Sequence, residues 1–271
     1  SRDAFDLDPA DIATDGSDLA QWNVANSTTY TFQSGHAVRF GASYLRRDQN
    51  AVDANTAGAV FDRRNMTETL SVTLAPRLKL AGPATLRASL HYGLFRDQYL
   101  LDQRESGALD KDEETFDHLG QLTLLYDRLI GQDHLLTVGL DALTERLESP
   151  RLEAGEGERY RVGIFVQDEW TVSEAPYVVL VPGLRLDVDS QFGPQPTPKL
   201  AVRVDPYDIL VLRASYGMGF RAPDFKELYF LFENPSVGYV VLGNSALLPE
   251  TSHSVNLGLE LTPIDEVWVS V

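Results

Sequence analysis

The sequence predicts an all-β fold, an antiparallel meander of about twelve strands, on three observations. Apolar and polar residues alternate with a period of two along most of the 271 residues. The connections between these segments alternate between short and long. Several segments extend for about 12–14 residues, which exceeds the 5–6 residues usual in globular sheets.

The alternating segments follow one another through the sequence. Apolar side chains occupy nearly every second position of Leu70–Leu78, Leu86–Tyr92, Leu122–Tyr126, Leu136–Leu140, Leu184–Val188, Leu200–Val204, Leu210–Tyr216 and Val255–Leu261. The intervening positions hold arginine, serine, threonine, glycine, asparagine and acidic residues. Because successive side chains of a strand point to opposite faces of a sheet, each segment has one apolar and one polar face.

The connections indicate how the strands are arranged. Short turns are predicted near Gln33–Gly35, Ala81–Pro83, Gly131–Asp133, Ser173–Pro176, Asp205–Asp208 and Pro263–Asp265. Longer polar connections are predicted between them, at about Arg46–Asn65, Phe95–Phe116, Glu148–Arg159, Asp189–Pro196 and Pro223–Glu250. A meander with short turns on one rim and long loops on the other is the layout of an outer-membrane β-barrel.

The residue types at the strand ends also favour a membrane barrel. Aromatic residues stand there, as in the interfacial girdles of such barrels, at Tyr44, Tyr92, Tyr126, Trp170, Tyr216 and Trp268. Arginines occupy the polar face, where a wet lumen accepts them, whereas one on the lipid face would cost about 2–4 kcal/mol at mid-membrane. A soluble antiparallel sheet with one wet face gives the same alternation and remains an alternative.

Composition excludes several classes of function. The net charge of −17 argues against nucleic acid as a partner. Cysteine is absent, which excludes disulfides, cysteine-ligated zinc and a cysteine nucleophile. No apolar run reaches the length of about 18 residues that a transmembrane helix needs. The first residues have no basic and apolar regions of a signal peptide.

One stretch connects the pattern to a known family. Leu212–Tyr229 reads LRASYGMGFRAPDFKELY, and Gly243–Leu261 reads GNSALLPETSHSVNLGLEL. Together they closely resemble the TonB-dependent receptors of Gram-negative outer membranes, and the clear match covers about Val162 to Leu261. The residues that match the family motif are Gly219, Phe220, Arg221, Ala222, Pro223, Glu227, Leu228, Tyr229, Gly243, Asn244, Pro249 and Glu250.

The resemblance implies a fold, a location and a function. Members of this family have a 22-stranded transmembrane barrel, filled by an N-terminal plug, in the outer membrane. They import scarce nutrients of the ferric siderophore, haem or cobalamin class, and they are energised by TonB through the plug. We therefore expect a transport receptor and not an enzyme, with outer-membrane lipid, lipopolysaccharide, the TonB complex and a nutrient chelate as partners.

The length of the chain predicts a fragment of such a receptor. Twelve strands in about 250 residues correspond to roughly 21 residues per strand, so 22 strands would need about 460 residues before any plug. We therefore expect residues 1–271 to be one partial barrel domain, without the plug, the signal peptide and the remaining strands.

The loop that follows the motif is the predicted site of binding. Gly217 and Gly219 fall on the polar register, where missing side chains permit close approach or a bend of the strand. Pro223 ends the strand because it cannot donate to a ladder. The aromatic loop beyond it either packs on itself or faces a ligand. The predicted substrate-binding residues are Arg221, Lys226, Tyr229, Phe230, Phe232, Tyr239 and Asn244, in which cations meet an anionic chelate and aromatic rings stack on its organic shell.

Other candidate sites carry weaker signals. The Asp-rich start, DAFDLDPADIATDGSD, is a candidate for structural Ca²⁺ but lacks the spacing of an EF-hand loop. No other metal or cofactor is expected, because the five histidines are scattered. No catalytic nucleophile is expected either, because Ser252 and His253 are adjacent and point to opposite faces. The alternatives to an import receptor are a passive porin or adhesin barrel, a soluble antiparallel binding domain and, more distantly, a phospholipase-like barrel enzyme.

Overall fold

A computed structural model describes residues 12–14, 16–55, 57–108, 110–234, 239–264 and 266–271. Its main element is a twelve-stranded antiparallel sheet in which nearly every strand pairs with its neighbours in sequence. The strands of this sheet are β1 (Asp18–Thr31), β2 (Ala37–Ala54), β3 (Val60–Lys79), β4 (Ala84–Gln103), β5 (Lys111–Ile130), β6 (His134–Glu148), β7 (Glu156–Glu174), β8 (Tyr177–Asp189), β9 (Gly193–Tyr207), β10 (Leu210–Arg221), β13 (Glu250–Ile264) and β14 (Val267–Ser270).

The connection between β10 and β13 contains further structure. It begins with a short helix, α1 (Phe225–Tyr229), and continues into a small hairpin of β11 (Leu231–Asn234) and β12 (Tyr239–Leu242). The prediction of a twelve-stranded meander is therefore confirmed, and the helix and the hairpin are additions that the alternation did not show. Within the part of the chain that the structure describes, β1 and β14 are the two edges of the sheet, which is not closed.

The register of the ladders places the two kinds of side chain on opposite faces. Leu74, Leu90 and Leu122 lie side by side on one face, through the pairs Leu74–Leu90 and Leu90–Leu122. We call this the aliphatic face and the opposite one the polar face. Aliphatic residues stay highly exposed on it: Leu257 is 78% exposed. We call this sheet the wall. In the residues that the structure describes, one of its faces is aliphatic and largely exposed, and few of its apolar side chains are buried.

The strands are longer than the sequence predicted. β3, β4 and β5 each have 20 residues, about twice the 9–11 that cross a bilayer. The predicted long connections at Arg46–Asn65, Phe95–Phe116 and Asp189–Pro196 were wrong in extent, because most of their residues extend the strands. The predicted connection at Glu148–Arg159 is shortened to residues 149–155. These extensions lose the apolar alternation and instead carry ion pairs such as Arg64–Asp48 and Arg96–Glu114.

All six predicted short turns lie at one rim of the sheet. At the other rim the β4–β5, β6–β7 and β10–β13 connections are longer, whereas the β2–β3 connection (residues 55–59) and the β8–β9 connection (190–192) are no longer than the β1–β2 turn (32–36). The loop after Pro223 remains the longest of them, as predicted. β9 shows why this loop has room. Its proline-rich half, Pro194–Pro198, pairs with β8 but not with β10, whose pairing to β9 ends at Gly217. Prolines have no amide donor for a further ladder, and the end of β10 therefore separates from β9.

Deeply buried apolar side chains are few among the described residues, and several lie near the outer rim. Phe225, Leu228 and Leu152 are 2%, 3% and 4% exposed. They belong to α1 and to the β6–β7 connection, so a small apolar core joins these two loops. No helix in the described residues is long and apolar enough to span a membrane.

Candidate functional site

The long β10–β13 connection folds over the polar face at the outer rim. The sequence begins α1 by means of a capping box: the Asp224 carboxylate accepts from the Glu227 amide at 2.8 Å, and the Glu227 carboxylate accepts from the Asp224 amide at 2.8 Å. A helix of five residues is not stable alone, so its position depends on the contacts that it makes with the wall.

Phe225 anchors α1 to β7. Its ring lies directly against Gly157, where an added Cβ would come within 2.8 Å of it. The guanidinium of Arg159 stacks over the same ring at 5.0 Å. This guanidinium also donates to the Pro223 carbonyl and, at 3.3 Å, to the side chain of Gln191. Arg159 is 6% exposed, so the helix covers a charged group of the polar face.

The chain after α1 pairs with the β6–β7 connection. The Leu231 amide donates to the Arg151 carbonyl at 2.8 Å, and the Glu153 amide donates to the Tyr229 carbonyl at 2.9 Å. Leu152 and Phe230 form an antiparallel bridge between these bonds. The two connections therefore form one ordered unit.

Gly243 returns the chain against α1. Its amide donates to the Phe230 carbonyl at 2.7 Å, and the next amide, of Asn244, donates to the Glu227 carbonyl at 2.8 Å. A Cβ on Gly243 would lie 2.6–2.7 Å from main-chain atoms of Leu228, Tyr229 and Phe230. Only glycine fits this close approach of two backbones, which is the structural reason for glycine at this position of the motif.

Arg221 closes the base of the loop. Its guanidinium lies 2.6 Å from a carboxylate oxygen of Glu227 and 3.3 Å from one of Glu250. Arg221 is the last residue of β10 and pairs across the ladder with Glu250, the first residue of β13. The hydrogen bond from Arg221, together with the one from the Asp224 amide, holds the pKa of Glu227 below its usual range.

An aromatic and cationic cluster lies beside this unit. Phe230 stacks on Phe232 at 6.1 Å between centroids, and Phe232 contacts Tyr239 at 6.1 Å. The guanidinium of Arg151 lies 5.6 Å from the Phe232 ring and 5.8 Å from the Tyr99 ring. We call Tyr99, Arg151, Phe230, Phe232 and Tyr239 the rim cluster. Glu113 orients its arginine through a bond of 2.8 Å to Nε.

The structure separates the predicted binding residues into two groups. Phe230, Phe232 and Tyr239 are together in the rim cluster, and Lys226 is exposed on α1. Tyr229, Arg221 and Asn244 contact the protein itself. The Tyr229 hydroxyl accepts from Gln191 at 3.4 Å, and the Asn244 side chain accepts from the Ala246 amide at 3.0 Å.

Two residues of the rim cluster were not predicted. Tyr99 lies in the extension of β4, and Arg151 lies in the β6–β7 connection. The meander order indicates that neighbouring loops meet at one rim, but it does not indicate which side chains do so. Arg151 contacts Phe232 only because the β10–β13 connection folds back across β9 and β8 to the β6–β7 connection.

Below the loop, the polar face carries ion pairs that span several strands. Arg185 on β8 bonds Asp187 at 2.7 Å and reaches Asp141 on β6 at 2.5 Å. It crosses β7 at Gly163, which leaves space for the guanidinium. Of the two glycines predicted to permit close approach, Gly219 faces the side chain of Ser252, whose Oγ would be 2.6 Å from an added Cβ. Gly217 has only an ordinary contact, since its added Cβ would lie 3.8 Å from Lys199.

Metal ligands do not gather in the described residues, where no group of three or more His, Asp or Glu is arranged to hold an ion. The predicted Ca²⁺ site falls mainly on residues 1–11 and Asp15, which lie outside the described residues. Two histidines bond a tyrosine hydroxyl across neighbouring strands on the aliphatic face, His118 with Tyr92 and His253 with Tyr216.

Comparison with known proteins agrees with the fold and the motif. The family model of the TonB dependent receptor-like β-barrel matches residues 2–271, and the chain belongs to this family. It therefore forms part of an outer-membrane β-barrel, as the resemblance of the motif predicted. The polar face is the lumen side of such a barrel, and the aliphatic face is the lipid side.

Named relatives are receptors for iron chelates and a vitamin. The ferric enterobactin receptor PirA of Pseudomonas aeruginosa is 24% identical over 265 residues, which are 92% of this chain and 32% of that protein. The vitamin B12 transporter BtuB of Vibrio vulnificus is 41% identical over 76 residues, 28% of this chain and 11% of that protein. The chain thus spans about a third or less of these relatives.

Solved structures show the same fold. The siderophore receptor PirA of P. aeruginosa superposes with a TM-score of 0.63 at 18% identity, covering 96% of this chain and 52% of that chain. A mutant ferric enterobactin receptor of the same species, in complex with enterobactin, superposes with a TM-score of 0.67 at 17% identity, covering 94% and 42%.

Proposed function

We propose that this chain is the central part of the barrel of an outer-membrane import receptor for a scarce nutrient, a ferric siderophore or a cobalamin-like compound. The observation that carries the proposal is the rim cluster, which lies on the lumen side at the outer end of the strands. The named relatives support the class of nutrient. Import is energised by TonB through a plug, as in the family.

The chemistry of the rim cluster fits an organic metal chelate. Tyr99 and Phe232 offer ring faces for stacking, and Arg151 between them offers a planar cation that pairs with an anionic group. Lys226 on α1 adds an exposed cation four residues before Phe230. We propose that Lys226, Phe230, Phe232 and Tyr239 contact the ligand from the loop.

Binding to the full-length receptor tests the proposal directly. A ferric catecholate, a ferric hydroxamate and cobalamin are titrated separately, and quenching of tyrosine and tryptophan fluorescence is measured. Arg151→Ala and Phe232→Ala are each expected to weaken the binding of one of these ligands by at least tenfold. Arg104→Ala is the matched control, because Arg104 is also a loop arginine that pairs with a carboxylate, that of Asp62, but it lies outside the rim cluster.

Two results would contradict the proposal. Unchanged affinity in both variants would remove the rim cluster from the binding site. Uptake by cells that continues after the proton-motive force is collapsed would indicate a passive pore instead of an energised importer. The control variant has to bind like the wild type for either result to count.

A further inference from the structure

We infer that Arg221, Glu227 and Glu250 form a clamp that positions the rim cluster, and that Arg221 acts on the ligand through this clamp and not by contact. The inference deepens the proposed function and rests on it for its ligand-binding readout. It gives Arg221, which was predicted to contact the ligand, a positioning role, and it assigns a role to Glu227 and Glu250, which were predicted only as residues of the motif.

The first argument is that Arg221 is already paired with two carboxylates. Its Nη2 donates to Glu227 at 2.6 Å, and its Nη1 lies 3.3 Å from Glu250. The guanidinium keeps further N–H donors, but a ligand anion would approach a cation that two carboxylates already neutralise, and the carboxylates would repel it.

The second argument is the position of Glu227 as a hub. Its side chain accepts from Arg221 and from the Asp224 amide, while its own amide donates to Asp224. Its carbonyl accepts from the Asn244 amide, at the point where the chain returns from β12. One residue therefore joins the end of β10, the start of α1 and the return of the loop.

The third argument is the path from the clamp to the rim cluster. α1 turns Phe225 and Leu228 into the small core, and the chain leaves the helix directly into Phe230 and Phe232. A rotation of this five-residue helix would move both rings away from Arg151. Because so short a helix has little stability of its own, the clamp fixes the direction in which the rings point.

The direction in which ligand affinity changes on removing each of two charges distinguishes a positioning role from direct contact with the ligand. If Arg221 touches an anionic ligand, Arg221→Gln weakens binding, and Glu227→Gln strengthens it by removing a nearby negative charge. If the two residues form a positioning clamp, both variants weaken binding. The double variant then binds no more weakly than either single variant, because each single substitution already removes the whole interaction between the two side chains. Gln has the size of Glu and can still accept the capping bond from the Asp224 amide, so Glu227→Gln removes only the charge. Gln is shorter than Arg, and Arg221→Lys, which keeps the charge, is therefore the companion of Arg221→Gln.

The experiment uses the full-length receptor and two readouts. The first is affinity for the chelate that the wild type binds, with a loss of about five- to tenfold expected for Arg221→Gln and for Glu227→Gln, partial rescue in Arg221→Lys, and a smaller loss for Glu250→Gln. The second is hydrogen exchange of the Leu228 and Asn244 amides without ligand, which is expected to accelerate in the same order. Arg104→Gln is the control.

Three results overturn the inference. The first is opposite signs of the two single variants. The second is additive losses in the double variant, and the third is exchange rates that stay at the wild-type value. If the wild-type receptor binds none of the chelates, the proposed function fails, but accelerated exchange in the clamp variants still supports the clamp. The two failures are therefore distinguishable.

Discussion

The strand wall and the β10–β13 loop are continuous in the chain but are stabilised in different ways. In the wall, aliphatic side chains remain exposed on the lipid side, where Leu257 is 78% exposed, and order comes from repeated ladder bonds. In the loop, Phe225 is 2% exposed and a few single contacts hold the chain. A substitution in the wall therefore leaves most of the ladder hydrogen bonds intact. A substitution of one contact residue in the loop can instead undock the whole β10–β13 loop.

The largest effect is expected for Phe225→Ala in the loop. Removing a fully buried ring costs about 3–5 kcal/mol of stability. Here it lowers the free energy that docks α1 onto the wall and leaves the stability of the wall itself unchanged. Exchange of the Leu228 amide is expected to accelerate by about a hundredfold or more. Leu248→Ala is the control, since Leu248 belongs to the same loop and is 78% exposed. Equal exchange in both variants would show that Phe225 does not anchor the helix.

A somewhat smaller effect is expected for Gly243→Ala. The new Cβ meets main-chain atoms, which cannot rotate away, and overpacking of this kind costs about 1–3 kcal/mol. Ligand affinity of the full receptor is expected to fall about tenfold, while the temperature at which the barrel unfolds in detergent stays the same. Gly107→Ala is the control in another outer loop, where an added Cβ has only an ordinary contact at 3.6 Å. A normal affinity in Gly243→Ala would contradict the close backbone approach.

The corresponding change in the wall is Gly163→Ala, and its effect is expected to be smaller still. The Cβ displaces the guanidinium of Arg185 from its path to Asp141, but a flexible side chain can adjust. We expect a loss of about 1 kcal/mol, typical of a partly exposed ion pair, and unchanged ligand affinity. Gly217→Ala, whose Cβ would stand 3.8 Å from Lys199, is the control. A loss of ligand binding in Gly163→Ala would mean that wall and loop are coupled.

The same difference explains how much of the molecule the sequence could predict. The sequence predicted the wall because every strand shows the same alternation of apolar and polar residues. The order of the strands then predicted that the short turns lie at one rim. The alternation stops where both faces of the sheet are wet, so residues such as Arg64 and Arg96 were assigned to loops although they extend β3 and β4. The motif located the loop, and its aromatic residues do gather, but three-dimensional contacts decided that Arg151 joins them.

Two arginines at the outer rim have different surroundings, and the sequence next to each of them does not determine the difference. Arg221, the last residue of β10, and Arg151, in the β6–β7 connection, are both arginines of the outer rim. Arg221 faces two carboxylates, through the ladder partner Glu250 and the helix residue Glu227. Arg151 has one carboxylate, Glu113, and two ring faces. No spacing rule separates these cases, because each depends on a contact between distant segments.

The smallest expected effect is a dependence of the loop on acid, which follows from the lowered pKa of Glu227. A carboxylate with a lowered pKa in the folded loop contributes stability that is present above its ordinary value of about 4.3 and is lost as the pH falls through the folded value. Exchange of the Asn244 amide, corrected for its intrinsic pH dependence, is therefore expected to accelerate below about pH 4.3. Glu227→Gln has no proton to gain, so its exchange is expected to be faster at neutral pH and flat with acid. An equal acid response in this variant would assign the effect to another carboxylate and would remove Glu227 as the hub of the loop.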